Sequence, residues 1–298
     1  MNKHLQTKQF TDQSVINSNG LARDVNHYEN FPVASWLCPP KLRAPIAAIY
    51  HFARTADDLA DEGDAHAQER LADLHQYRAD LLAVSGGQPH SGRWPQVFEP
   101  LAHAIRQFQL PIPLLQDLLN AFEQDIHYTA QQRRYATDEE LLDYCKRSAN
   151  PVGRLLLHLY GITDTVSLAQ SDQICTALQL INFWQDVSVD VARQRWYPSQ
   201  QAMAKFGVID ADLLPDSRSK AATQLIAAYA TLTRDMMQKG SHLSCRISGR
   251  AGWELRLVVQ GGLRILDKID SMNHATWRTR PKLSAWDVPV MLWRALWM

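Results

Sequence analysis

Apolar residues recur at intervals of three and four along most of this chain, and this spacing constrains its fold more than any other feature. Leu71, Leu74, Leu81 and Leu82 show the pattern, whereas strand-like alternation of apolar and polar residues is almost absent. Such spacing gathers the apolar side chains on one face of an α-helix. The sequence therefore predicts an all-α protein.

Helix-breaking residues divide the chain into the predicted helices. Clusters rich in glycine, proline and asparagine lie near residues 85–95, 111–113, 161–164, 198, 207–215, 240–249 and 273–281. They predict about eight to ten helices of about 12 to 25 residues, longer than the globular average. Neither a composition shift nor a long flexible linker divides the chain, so we expect one helical bundle around a central pocket.

The composition excludes several classes of protein. Lys and Arg total 31 against 31 Asp and Glu among 298 residues, so the zero formal charge gives no electrostatic basis for binding nucleic acid. No run of 18 apolar residues predicts a transmembrane helix, and the polar first 20 residues lack the apolar region of a secretory signal. The four cysteines form no Cys-x-x-Cys pair, so the sequence contains no zinc-ribbon motif. Cysteines this far apart are typical of a protein in a reducing cytosol. We therefore expect a cytoplasmic protein.

The two ends of the chain differ from the region between them. Residues 1–24 form a polar N-terminal segment, for which disorder is one alternative, and residues 25–298 form the predicted all-α domain. Residues 288–298 are almost entirely apolar and contain Trp293 and Trp297. This pattern is typical either of a packed helix or of a helix that lies in a membrane interface. Peripheral contact with the inner face of the membrane therefore stays open.

Five acidic residues within eight positions end the predicted helix that begins near residue 44. They are Asp57, Asp58, Asp61, Glu62 and Asp64. Like charges four residues apart, such as Asp57 and Asp61, destabilise a helix, and acidic groups near its C-terminus oppose the helix dipole. A divalent cation would stabilise the cluster, because Mg²⁺ prefers oxygen ligands. A solvated acidic helix end is the alternative. Arg54 shares the face and could bind a phosphate or pair with an acid.

Asn182, Asp186 and Asp190 form a second stripe of oxygen-bearing side chains. They lie four residues apart, and each step drifts only about 40° around a helix. Apolar residues such as Ile181 indicate that this helix is largely buried, where carboxylates without a counter-charge are costly. Two acidic stripes that face each other suit a magnesium cluster that grips a diphosphate group. Arg195 follows the second stripe, where it could hold phosphate oxygens or be solvated.

Three stretches of the sequence resemble the squalene/phytoene synthase family of head-to-head prenyl transferases. They are residues 52–62, 144–153 and 182–198. The likeness extends over about residues 25–285 and implies an all-α fold of the isoprenoid-synthase type, in which two aspartate-rich helices form opposite walls of a pocket. Within the family, residues 148–153 and 182–186 are most similar to the hydroxysqualene synthases of hopanoid biosynthesis. These enzymes take presqualene diphosphate and release hydroxysqualene.

The resemblance implies a role for each matching residue. The magnesium ligands would be Asp57, Asp58, Asp61 and Glu62 on one wall and Asn182, Asp186 and Asp190 on the other. The diphosphate would be bound by Arg54, Arg195 and Asn182. The catalytic set would combine Tyr144, beside the reacting carbons, with Asp57, Asp61, Asp186 and Asp190. Asp125 lies outside the matching stretches, and we expect it to be solvated rather than part of the metal site.

Five positions depart from the family pattern. Gln185 stands where many relatives have arginine, and Asn150 and Pro151 stand where they usually have glycine. Tyr28 and Glu29 replace a small hydroxyl residue and a basic residue of the entrance segment, which leaves diphosphate contacts from that segment in question. Because every metal-site position is present, the first three departures indicate a different reaction outcome rather than loss of metal binding.

The resemblance implies that Mg²⁺ promotes loss of diphosphate and that one water then quenches the rearranged cation. NADPH, the hydride source of reductive squalene synthases, is not expected. Functional coupling to a presqualene diphosphate synthase would supply the substrate. One alternative is the synthesis of presqualene diphosphate, squalene or phytoene from two allylic prenyl diphosphates. Another is a catalytically inactive assembly factor of the same fold, which would show eroded aspartate stripes, whereas both stripes are intact here.

Overall fold

The computed structural model describes residues 38–298, and this part of the chain is helical without any strand. Thirteen α-helices lie in it, together with 3₁₀ turns at Asp210–Leu213 and Ala285–Asp287. The helices are α1 (Pro40–Asp61), α2 (Ala67–Ser85), α3 (Pro95–Phe108), α4 (Ile112–Gln131), α5 (Asp138–Ser148), α6 (Asn150–Leu159), α7 (Thr165–Gln185), α8 (Val187–Ala192), α9 (Gln200–Phe206), α10 (Lys220–Ser241), α11 (Leu243–Arg246), α12 (Gly249–Ser271) and α13 (Val288–Leu296). The all-α prediction is confirmed.

The expected number of helices is too low because the sequence pattern missed two breaks between helices. Asp186 separates α7 from α8, with φ −101° and ψ 10°, without a glycine or proline, whereas Ala149 separates α5 from α6 just before Pro151 in the first turn of α6. Short helices such as α8, of six residues, and α11, of four, fall below the expected length range. Glycine and proline do mark other boundaries: α3 begins at Pro95, and Gly207 ends α9 in a left-handed conformation.

Two hydrophobic clusters fill the interior of the described chain. The first is built mainly from α1 to α4, where Phe52, Tyr77 and Phe98 pack with ring centroids 4.7 to 6.2 Å apart. The second extends over α5 to α12, and in it the buried Trp184 ring stacks on Tyr229 at 4.0 Å. Because α1 belongs to the first cluster and α7 and α8 to the second, the two predicted acidic segments lie on elements held by separate cores.

Several predictions fall outside the described residues. The polar segment over residues 1–24 and the entrance positions Tyr28 and Glu29 are among them, so the domain boundary near residue 25 stays a prediction. Within residues 38–298, no helix combines the length and apolar character required to cross a bilayer.

Candidate active site

Helix α1 places the first acidic segment at its last turn. Ile49, Phe52, Ala56 and Ala60 are buried at intervals of three and four residues, and this buried stripe sets the rotation of the helix. Asp57 and Asp61, which directly follow Ala56 and Ala60, therefore lie on the flank of α1, between the core and solvent.

Arg54 neutralises much of this acidic segment. Its Nη1 atom lies 3.3 Å from Asp57 Oδ2, and its Nη2 atom lies 2.7 Å from both Asp58 Oδ1 and Glu62 Oε1. The sequence left two roles open for Arg54, phosphate binding and pairing with an acid, and the structure shows the pairing. An arginine supplies part of the compensation that we expected from a cation.

The second acidic stripe does not lie on one continuous helix, which corrects the prediction. The backbone turns at Asp186, where α7 ends, and α8 begins at the next residue. Two backbone hydrogen bonds nevertheless keep the four-residue spacing, because Asp186 N–H donates to the Asn182 carbonyl and Asp190 N–H donates to the Asp186 carbonyl, each at 2.9 Å. Asn182 is exposed, whereas the two aspartates are half-buried.

Arg195 joins the two acidic segments. Its Nη2 atom donates to Asp61 Oδ1 at the end of α1, and its backbone N–H donates to the Asp190 carbonyl at 2.8 Å. Arg193 lies beside it, with Nη1 3.7 Å from Asp61 Oδ2. The Arg195 guanidinium therefore contacts the end of α1, 134 positions earlier in the sequence, while the Arg195 backbone is bonded to the second acidic segment.

Arg280 is a site residue that the sequence patterns did not indicate. Its Nε and Nη2 atoms both donate to the Asp186 carboxylate, the second over 3.0 Å. Gln185 holds the same segment, because its Nε2 atom donates to the Pro281 carbonyl at 2.7 Å. The basic residues at 278, 280 and 282 were the available signal, but nothing in the sequence related them to a position 94 residues earlier.

Burial raises the pKa of several carboxyl groups in the site, among them those of Asp57 and Asp190. The pKa of Asp57 rises to about 6, because the surrounding protein and the charges of Asp61 and Asp58 outweigh the attraction of Arg54. The pKa of Asp190 rises to about 7, because of burial and then repulsion from Asp186, despite the nearby Arg195. A cation beside either carboxyl would favour its ionised form.

Tyr144 and Asp125 form a hydrogen-bonded pair next to these acids. The buried Tyr144 hydroxyl donates to Asp125 Oδ2 at 2.6 Å, and burial raises the pKa of Asp125 to about 7. The expectation that Asp125 is solvated is wrong, because α4 and α5 pack together at this point and enclose the carboxyl. Tyr144 and Asp125 lie 19 positions apart in the sequence, and this spacing gave no indication that they form a pair.

Aromatic rings surround the Tyr144 side chain. The ring of Tyr135 lies 5.9 Å away and that of Phe183 lies 6.3 Å away, measured between centroids. Tyr197 stacks on Phe183 at 3.7 Å. A small cavity of about 30 Å³ opens beside them, and its lining includes Asp125, Arg195, Trp196 and Tyr197. The π faces of such rings can stabilise positive charge.

The chemistry of the acidic side chains fits magnesium. Carboxylate and amide oxygens are its preferred protein ligands, and the end of α1 and the junction of α7 and α8 supply both kinds. In the described part of the chain, however, no group of three or more His, Cys, Asp or Glu residues converges as a metal site. Arg195 and Arg280 engage Asp61 and Asp186 instead. Magnesium binding by the seven predicted ligands therefore stays a prediction. It requires the ion pairs of Arg195 and Arg280 to open.

Comparisons with known proteins identify the family that shares these features. The model of the squalene/phytoene synthase family matches residues 25–287. A hydroxysqualene synthase of Zymomonas mobilis is 34% identical over 248 residues, which cover 82% of this chain and 80% of that relative. A presqualene diphosphate synthase of Rhodopseudomonas palustris is 29% identical over 184 residues, covering 61% and 62%. Among solved structures, squalene synthase HpnC from Alicyclobacillus acidocaldarius is 32% identical with a TM-score of 0.75, covering 85% and 92%.

Proposed function

The chain belongs to the squalene/phytoene synthase family, whose enzymes act on prenyl diphosphates, and we propose that it converts presqualene diphosphate into hydroxysqualene. The observation that carries this proposal is the position of the Arg195 guanidinium, which donates to the Asp61 carboxylate and whose charge also acts on the Asp190 carboxyl. A guanidinium group that can take phosphate oxygens lies between acidic groups that can take cations. The choice of hydroxysqualene as product rests on relatives of that name at 31 to 34% identity.

The basic residues of the site would bind the diphosphate. Arg54, Arg195 and Arg280 already lie at the acidic segments, and Asn182 offers an exposed amide. Guanidinium groups donate hydrogen bonds to phosphate oxygens in a bidentate geometry. An arriving diphosphate would therefore draw these arginines away from their carboxylate partners.

The carboxylates released in this way would hold magnesium. Asp57, Asp58, Asp61 and Glu62 would act from α1, and Asn182, Asp186 and Asp190 from α7 and α8. When bound, Mg²⁺ would supply Lewis-acid stabilisation of the leaving diphosphate. The raised pKa values of Asp57 and Asp190 support this role, because a buried carboxyl that resists ionisation gains most from a neighbouring cation.

Aromatic residues would then guide the cation to its product. The rings of Tyr144, Phe183 and Tyr197 would face the positive charge and exclude bulk water during rearrangement. One water adds its oxygen to the cation, and its proton must leave. We assign that proton to the Asp125 carboxylate, because its pKa of about 7 suits a base at neutral pH. Diphosphate and hydroxysqualene are the products.

The proposed substrate and product are largely apolar, and this affects where the enzyme works. We propose a cytoplasmic protein in peripheral contact with the inner face of the membrane, functionally coupled to a presqualene diphosphate synthase that supplies its substrate. No helix of the described chain is able to cross the membrane itself.

Product analysis tests the proposed reaction. Purified protein with Mg²⁺ receives presqualene diphosphate without NADPH, and a parallel sample receives farnesyl diphosphate. We expect hydroxysqualene from the first sample alone. Product from farnesyl diphosphate instead would place the enzyme one step earlier or in another branch of the family, and it would refute the interpretation of Asn150, Pro151 and Gln185.

Asp57→Ala and Asp186→Ala test the two-wall site. Each variant should lower kcat at least about 100-fold, because each removes a carboxylate needed when the diphosphate leaves. Asp64→Ala is the matched control, since Asp64 is an exposed acid of the same segment. Circular dichroism should show unchanged helicity in all three variants. Near-normal turnover of either site variant would contradict the model.

A further inference from the structure

Three side chains on one face of α4 line the small cavity beside the aromatic rings. Asp125, Tyr128 and Thr129 lie three and four residues apart, so the helix presents them together. Residues 194–197 line the same cavity from the other acidic segment. Asp125 lies at its inner end, because its carboxylate meets the buried Tyr144 hydroxyl, whereas Thr129 is exposed. The cavity therefore extends inward from the surface of α4 to the aromatic part of the site.

The size and lining of this cavity suit water rather than substrate. Its volume is about 30 Å³, whereas one water needs roughly 10 to 15 Å³ of such space. A prenyl chain is far too large to enter it. The carboxylate of Asp125, the hydroxyl of Thr129 and the amide of Gln194 belong to residues that line the cavity. These groups can supply the roughly two to four hydrogen bonds that an enclosed water makes.

Three side chains, which we call the gate cluster, close the outer end of the cavity. They are Tyr128, Arg133 and Glu140. The Arg133 guanidinium lies over the Tyr128 ring, 4.5 Å from its centroid. Glu140 Oε1 accepts hydrogen bonds from the Tyr128 hydroxyl at 2.7 Å and from Arg133 Nη2 at 2.8 Å. A polar groove of about 490 Å³ lies beyond, and Tyr128 and Arg133 line both spaces. The gate cluster therefore separates the inner cavity from the groove.

The gate cluster can open by movement of one side chain. The Arg133 side chain is 54% exposed, so its ion pair with Glu140 is screened by solvent and contributes little stability. The next residue is held more firmly, because Arg134 donates two hydrogen bonds to the Asp210 carboxylate at 2.6 and 2.7 Å. Its guanidinium also lies over the Trp196 ring, 4.1 Å from the centroid. Arg133 can therefore swing outward while Arg134 keeps the backbone in place.

We propose that this cavity is the path by which the quenching water enters and its proton leaves, with Asp125 at the inner end and the gate cluster at the outer end. The inference rests on the proposed function, because it requires a cation that is quenched by water. The water oxygen forms a C–O bond to the rearranged cation, one O–H bond breaks, and the proton passes to the Asp125 carboxylate. A cavity water then takes that proton to the groove. A passage this narrow supplies the reactant and keeps bulk water outside.

Thr129→Leu tests the path by filling the cavity with an apolar side chain. Turnover of presqualene diphosphate is followed by diphosphate release and by the fraction of product that is hydroxysqualene. A cation that meets no water loses a proton from carbon and becomes an alkene. The hydroxysqualene fraction should therefore fall about fivefold, while diphosphate release stays within about twofold of wild type. Ala130→Leu is the matched control, since Ala130 is an exposed neighbour that lines neither space, and its products should match wild type.

Arg133→Ala tests the gate cluster in the opposite direction. Bulk water would reach the cation before it rearranges, so alcohols of the unrearranged cation should increase about threefold. Mass spectrometry after turnover in ¹⁸O-labelled water identifies them, because each alcohol then contains the label. Lys146→Ala is the control, since it removes an exposed basic residue of α5 that lies 3.7 Å from Asp143, and its products should match wild type.

Unchanged product fractions in both Thr129→Leu and Arg133→Ala would overturn the inference. So would a fall in diphosphate release at a constant hydroxysqualene fraction, because the substitution would then act on ionisation rather than on the quench. High-resolution crystallography of the substrate-free protein gives a readout without turnover. Ordered water should lie between Asp125 and Thr129 in wild type and be displaced in Thr129→Leu, and a dry cavity in wild type would overturn the inference. Absence of hydroxysqualene from every protein, with a hydrated cavity, would refute only the proposed function.

Discussion

Each arginine of the site engages an acidic residue that was expected to bind magnesium. Arg195 binds the Asp61 carboxylate and Arg280 binds the Asp186 carboxylate, so both carboxylates are engaged in ion pairs. Half-buried pairs of this kind contribute little net stability, because desolvation offsets their attraction. They can therefore exchange for a diphosphate and its cation at small cost. Arginine side chains therefore compensate the carboxylate charges for which the acidic patterns predicted a divalent cation.

Asp125→Asn should weaken the pH dependence of stability in the metal-free protein. In the folded state the pKa of Asp125 lies near 7, above its ordinary value of 3.8, so the folded state binds more protons between these two values. Stability must then fall as pH rises through this window. The fall in Tm from pH 5 to pH 8 should be smaller in the variant by about 3 °C. Thermal melts at both pH values measure it.

Tyr144→Phe is the control for this titration. It removes the hydrogen bond that lowers the Asp125 pKa while leaving the carboxyl and its burial, so the pH dependence should persist or increase. An Asp125→Asn protein with the wild-type difference in Tm would show that Asp125 is not the titrating group.

Helices α6 and α7 approach closely at the motif of residues 148–153, and this contact supports the second acidic stripe. Asn150 is buried, and its Oδ1 atom accepts a hydrogen bond from Thr176 Oγ1 at 2.9 Å. Gly153 contacts α7 so tightly that an added Cβ atom would lie 2.3 Å from Ser171 Oγ and 2.5 Å from Cys175 Sγ. The motif therefore positions α7, which ends at Gln185 directly before Asp186. Its link to the reaction outcome stays a prediction.

Gly153→Ala should destabilise the protein by about 1 to 3 kcal/mol, because the extra methyl group overpacks the contact between α6 and α7. Gly86→Ala is the matched control, since its nearest neighbouring atoms would lie 3.5 Å or more from the new Cβ atom, and it should change stability by about 0.5 kcal/mol or less. Urea denaturation measures both. Adding Ser171→Ala and Cys175→Ala should relieve the clash, and a Gly153→Ala protein as stable as wild type would contradict the packing argument.

The site forms where the two hydrophobic clusters of the molecule meet. It combines the end of α1, Asp125 of α4, Tyr144 of α5, the junction of α7 and α8, and the segment that contains Arg280. A network away from the acids supports the arrangement, since Asp138 Oδ1 accepts hydrogen bonds from Ser199 Oγ at 2.6 Å and Tyr229 O–H at 2.7 Å. It ties α5 and α10 to the start of α9, and thereby steadies residues 193–198.

Magnesium and inorganic pyrophosphate should stabilise the whole molecule synergistically. The anion can take Arg195 and the cation can take Asp61, so each ligand frees the partner of the other. Together they should raise the Tm by about 2 °C more than the sum of their separate effects, as scanning fluorimetry would show. Asp61→Asn should abolish the excess. Strictly additive shifts in wild type, or an excess that survives in Asp61→Asn, would refute the exchange of partners.

The amino-acid sequence by itself determined the helical class, the family and the two acidic segments. These properties follow from local spacing: apolar residues three and four apart define a helix face, and Asn182, Asp186 and Asp190 keep a four-residue interval that survives the break in the helix. The model of the family over residues 25–287 confirms the resemblance that the motifs indicated.

Only the tertiary structure decided which charges meet. Arg280 reaches Asp186 across 94 residues, Tyr144 reaches Asp125 across 19, and Arg195 reaches Asp61 across 134. Such pairs depend on how separate helices pack, and sequence spacing contains no record of the distance between two helices. Burial is decided in the same way, and it is burial that moves the pKa of Asp125 and Asp190 to about 7.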